Sequence, residues 1–272
     1  MRSAVPFTGV SIPWREVRRI CDSTVLTSTE EPGKPLWTRL VLYFVLLSLV
    51  GSSVYAIIGY LNAPEAEVAV SDPGNVKSDY LLMLVQCILG IVVMILPGVI
   101  ERRRCIEIPN SMYVFFLFFL YGAIFLGEVR SFYYRIPNWD LILHGFSGLL
   151  LGALSFSVVR LLNASDRIVL SLSPAFMAVF AFSFAMTVAA LWEIYEFAVD
   201  GILGLNMQKF ALRDGELLMG RAAVADTMED LIVAAVGAAI MAVVGYVSIR
   251  ERKGWLSGLV ATRRGATPPD TD

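Results

Sequence analysis

Six apolar runs, each long enough to cross a bilayer, constrain this chain more than any other feature. A helix rises 1.5 Å per residue, so a hydrocarbon layer of ~30 Å takes about 20 residues. The runs fall at about 38–61, 80–100, 112–130, 140–162, 174–200 and 227–248. Inside lipid every backbone N–H and C=O must find a partner, which a helix supplies within its own segment and an open strand does not. Ser173 is a natural N-cap for the fifth run, and Pro174 suits a first helical turn. The expected fold class is all-α, a polytopic membrane bundle of about six transmembrane helices.

Composition excludes the alternatives. Hydrophobic residues make up 57% of the 272 and charged residues 17%, with a mean hydropathy of +0.67. Soluble domains are nearer ~45–50% and ~25%. Disorder of the bulk would need low hydrophobicity and high net charge, and the net charge is only −2. That balance gives no basic surface for nucleic acid. Cys21, Cys87 and Cys105 are too few and too scattered for a disulfide framework or a thiolate metal site. The first 24 residues are charged and lack the apolar centre of a cleavable signal peptide, so the first span is expected to act as an uncleaved signal.

Lysine and arginine set the expected orientation. The N-terminal arm, the loops after spans two and four, and the C-terminal tail together hold sixteen, against six on the other side. The positive-inside rule places the richer side, and with it both termini, in the cytoplasm. Three regions follow: a basic cytoplasmic arm at 1–36, a six-helix domain at 37–248, and a polar cytoplasmic tail at 249–272 expected to be disordered. The stretch WREVRRICDSTVL in the arm could lie on the membrane surface.

Charge inside a span is costly, so its position is informative. Glu128 closes the third run, and Asp140 and His144 open the fourth. Glu193, Glu196 and Asp200 close the fifth, and Asp226, Glu229 and Asp230 open the sixth. All lie on one side, which the lysine and arginine count makes extracytoplasmic; their agreement is not built into that count. Spacings of three and four residues put Asp140 with His144, Glu193 with Glu196 and Asp200, and Asp226 with Asp230, each on one helix face. Capping accounts for some of them. Asp140 suits a helix N-terminus, and Asp226-Thr-Met-Glu229 has the form of a capping box. It does not account for Asp200, near a helix C-terminus where the dipole disfavours an anion, nor for Glu193 and Glu196 deeper in.

So many carboxylates beside one imidazole cannot all stay ionised unaided. Protons, a divalent cation, or counter-ions from Arg130, Arg135, Arg213 and Arg221 would each resolve the conflict. Oxygen ligands with one imidazole suit Zn²⁺, Mn²⁺ or Mg²⁺. The candidate metal set is Asp140, His144, Glu193, Glu196, Asp200 and Asp230. Glu193 and Asp226 are the candidate catalytic bases, His144 a ligand or proton shuttle, and Arg130 and Arg221 the groups that would steer an anionic headgroup.

The segments PNWDLILHGFSGLLLG, ALWEIYEFAVDGILGLNMQ and ADTMEDLIVAAVGA resemble the YjdF-like family of bacterial inner-membrane proteins and, more remotely, the VanZ-like membrane proteins. The likeness covers about residues 115–248. It rests on Asp140 and His144, Trp192 and Glu193, Gly204 and Gln208, Asp226, Thr227 and Asp230, and Gly237 with Ala238. It implies a multi-pass protein of the bacterial inner membrane with a shared polar site, adds Gln208 to the candidate substrate-binding residues, and implies no particular activity.

Other motifs are packing features. Gly148, Gly152 and Ala153, and Gly237, Met241 and Gly245, let helices approach closely. Tyr133, Tyr134 and Trp139 fit an aromatic belt. Ser147 and Ser155 have no second histidine for a relay, and no strand-linked glycine-rich phosphate loop exists. Three functions remain open: a metal-dependent enzyme acting on a lipid or its headgroup, a proton- or cation-coupled transporter, and a non-catalytic scaffold with a structural polar cluster. Membrane lipids are the expected partners in each.

Overall fold

The computed structural model describes residues 34–64, 76–104, 106–163, 172–212 and 216–263. The candidate interfacial segment of the arm, Arg213, and residues 264–272 lie outside this set. The architecture is all-α, with six helical spans long and apolar enough to cross a membrane. They are α1 (Leu36–Asn62), α2 (Lys77–Arg104), a third span made of α3 (Asn110–Leu120) and a π-helical segment (Tyr121–Val129), α5 (Trp139–Asn163), α6 (Pro174–Leu203) and α7 (Arg221–Arg250). A single turn, α4 (Phe132–Arg135), joins the third span to α5.

Two three-span units emerge. In the first, α1 packs on α2, and the third span closes a core of Val45, Leu49, Cys87, Met94, Leu117 and Ile124. In the second, α5, α6 and α7 all touch one another, and α5 with α7 forms the most extensive helix contact. Lipid is as apolar as leucine, so close backbone packing holds such helices together. A Cβ added at Gly148 would strike the Ala234 carbonyl oxygen, and one at Gly237 would strike that of Gly145. Only glycine permits this approach, as the small-residue spacing predicts.

Two helix starts test the capping expectations. Ser173 Oγ accepts the Phe176 N–H at 3.2 Å, and Pro174 follows in the first turn. The start of α7 departs from expectation. The helix begins at Arg221 behind Gly220, which has φ 57° and offers no side-chain cap. Asp226 and Glu229 therefore lie in the second and third turns and form no capping box. Their charges need another explanation.

The tail also departs from the sequence-based picture. Leu256 and Val260 pack with Phe156 and Ala181. The Ala261 N–H donates to Ser157 Oγ at 3.0 Å, Ser111 Oγ donates to the Gly258 carbonyl, and Thr262–Arg263 pairs antiparallel with Ile106–Glu107. The apolar stretch Trp255–Ala261 supplies this order up to residue 263. Lys34 Nζ meets Glu101 at 3.1 Å on the same end of the bundle. The first and last described residues thus share one end, as an even number of spans requires. It is called the basic end below, and the opposite one the acidic end.

Candidate metal centre

The second unit turns one polar stripe from each of its helices into a common interior. Asp140 lies in the first turn of α5, and His144 one turn on. Glu193 and Glu196 come from α6, and Asp226 and Asp230 from α7. His144 Nε2 stands 3.5 Å from Asp140 Oδ1 and 3.6 Å from Glu193 Oε1. One ligand atom each from Asp140, His144 and Asp230 lie within 4.8 Å of one another. Glu193 and Asp230 are each only 6% exposed. Glu196 lies within electrostatic reach of Asp140, Glu193 and Asp230, and Asp226 of Asp140.

These separations bear on what the cluster can hold. At 3.5–3.6 Å the imidazole is too far from either carboxylate for a good hydrogen bond. Two ligands held ~2.0–2.2 Å from one tetrahedral ion would stand about 3.3–3.6 Å apart. Glu193 Oε1 is buried with no hydrogen-bond partner. A buried oxygen left unpaired costs about 1–3 kcal/mol, and more when charged. The donor set, oxygens with one imidazole, therefore fits a hard or borderline divalent cation.

Two of the carboxylates counted from sequence have other tasks. Glu128 Oε2 accepts from Lys209 Nζ at 2.7 Å, and that ammonium also donates to the Asn206 carbonyl at 3.1 Å. Asp200 accepts the backbone N–H groups of Met207 at 2.6 Å and Gln208 at 2.9 Å. It thereby ties down the loop that follows α6, a role that the helix dipole argument at its C-terminus does not anticipate. Gln208 itself donates through Nε2 to Thr227 Oγ1 at 3.3 Å, joining the loop to α7. Asp140, Glu193, Glu196, Asp226 and Asp230 remain for a cation.

Among the described residues, the counter-ion is not one of the arginines. Arg130, Arg135 and Arg221 are exposed, and among the described residues none of them forms an ion pair with the cluster. Lys209 takes that place. It sits in the left-handed region at φ 57°, over the rings of Tyr133 (4.9 Å) and Tyr134 (5.7 Å). Burial, the largest single influence, pushes its pKa down, but Glu128, Tyr134 and Asp140 together outweigh it and hold the pKa above 10.5. The Tyr133 phenol is pushed well above its ordinary range, first by burial and then by Asp140, Glu128, Glu196 and Asp230. Its ring carries the Lys209 ammonium beside the acidic cluster. Loop residues such as Lys209 carry no periodic signal, so sequence spacing could not find it.

The π-helical segment delivers Glu128. Each of its turns holds one more residue than an α-turn, which shifts the inward face. Gly127 and Glu128 are buried there, and Gly127 leaves room for the Tyr133 ring. Trp139 Nε1 donates to the Gly122 carbonyl at 3.2 Å, fixing the start of α5 against this segment.

No curated protein and no solved structure matches the chain. A family model described as "Predicted membrane protein (DUF2238)" matches residues 68–251, which take in five of the six spans and every residue of the acidic site. The chain belongs to this family of predicted membrane proteins.

Proposed function

We propose that the acidic end holds a divalent metal ion and that the protein acts there on a lipid or its headgroup. The observation that carries this reading is the group of Asp140, His144 and Asp230, with the unpartnered Glu193 oxygen beside it. Asp140, His144 and Asp230 would hold the ion, with Glu193 completing the set. Such an ion would act as a Lewis acid and lower the pKa of a bound water. Asp226 would take a proton, as would Glu193 where it is not bound to the ion, and Tyr133 and Lys209 would add polar groups nearby. Arg221, exposed at the start of α7, would meet an anionic group.

The reading includes an extracytoplasmic position for the site, as the lysine and arginine count implies. It also includes the bacterial inner membrane, through the likeness to YjdF-like and VanZ-like proteins. The test is elemental analysis and zinc, manganese and magnesium titration of the protein in mild detergent. About one ion per chain is expected, with loss of it in His144→Ala and Asp230→Asn. Metal-free protein that takes up none of the three would overturn the proposal.

A further inference from the structure

We infer that the described parts of the loop between α6 and α7 form a membrane-contact surface, resting in the interface of the leaflet at the acidic end. The lipid-facing side of α7 carries the first argument. Its exposed apolar stripe runs from Val243 to Val224, through Met228. Nineteen residues of helix separate its ends, about 28 Å, which matches the hydrocarbon thickness of ~30 Å. That stripe continues past the depth of Asp230 and Asp226, so lipid reaches at least to Val224 on this side. The loop starts just beyond.

The loop prolongs the same surface. Leu203 is 48% exposed, Leu217 51% and Met219 77%. Single exposed apolar residues mean little, but Leu203 is the last residue of α6, and Leu217 and Met219 stand just before the start of α7. The inner side is already committed: Leu205 and Met207 are buried against Leu82, and Asp200 holds two backbone N–H groups. Among the described residues, Leu203, Leu217 and Met219 therefore have no folded interior to enter. Exposed Arg221, two residues from Met219, can extend its guanidinium to lipid phosphates while its stem lies on the apolar surface. The occupant is lipid of this leaflet, and the inference stands whether or not a metal binds below.

The test uses the full chain in phosphatidylcholine nanodiscs with Cys21→Ser, Cys87→Ala and Cys105→Ser. Leu217→Cys or Met219→Cys carries an NBD label, with Lys253→Cys, exposed at the basic end, as control. Blue-shifted emission and loss of intensity with doxyl-labelled lipid are expected at 217 and 219 and not at 253. Water-like emission and control-level quenching would overturn the inference. A photo-crosslinking benzoylphenylalanine at Met219, with the native cysteines kept, covers a background that fails to fold. A lipid adduct supports the inference, and a protein adduct or none overturns it.

Discussion

The two ends of the bundle hold charge in opposite ways. At the basic end charges are dispersed. Arg102 and Arg103 are exposed, the Lys253–Glu251 pair at 2.6 Å is open to solvent, and Lys34–Glu101 is only partly buried. At the acidic end three helices and a loop gather carboxylates inward and leave one oxygen unpaired. Solvated charges cost little, which is why the basic end needs no architecture to hold them. Buried like charges cost a great deal, so the acidic end needs a partner for them. The contrast teaches that residue type does not make this a site; enforced convergence does.

The largest expected effect breaks that contrast outright. His144→Ala or Asp230→Asn should lower divalent-metal affinity beyond the about 10–100-fold typical of outer-shell partners, while Arg102→Ala and Arg103→Ala leave it unchanged. Isothermal titration on purified protein reads the difference.

Lys209→Met comes next, since it strands Glu128 in a buried position. A loss of about 3–5 kcal/mol is expected for breaking a buried pair, against about 1 kcal/mol for Lys34→Met at the partly buried pair. Adding Glu128→Gln should recover part of the Lys209→Met loss. Denaturation in detergent, run on all four proteins, would show whether the pairs differ as the burial says.

A smaller effect follows from pH. The Lys209 pKa in the fold lies above its ordinary 10.5. The folded protein therefore keeps this proton where the unfolded chain loses it. The stability it contributes is complete below pH 10.5 and is lost as pH rises through the folded value. Alkaline melting curves should shift less in the double variant Lys209→Met/Glu128→Gln than in the parent. Smallest of all, Lys253→Ala should leave the melting temperature unchanged, because its partner Glu251 is exposed. A clear drop would mean that the basic end is more organised than its exposure indicates.

Much of this was legible in the residues. Apolar length alone gives six spans, because lipid forbids unpaired backbone. The spacing of Asp140 with His144, and of Glu193 with Glu196, gives the inward stripes, because helical periodicity is fixed. Gly148 and Gly237 announce the α5–α7 contact. Other features were hidden. Nothing in YGAIFLGEV marks a π-helical segment, and the DTME motif suggested a helix start that lies instead at Arg221. The apolar Trp255–Ala261 stretch was submerged in a polar tail.

The sequence by itself determined the class of fold, the number of spans and the end at which acid gathers, since each depends on local length and periodicity. Only the tertiary structure decided which acids share a centre. It assigned Glu128 to Lys209 and Asp200 to a loop, and it left Glu193 facing His144. Those choices depend on how helices distant in sequence rotate and approach, and on a loop whose register no periodicity encodes.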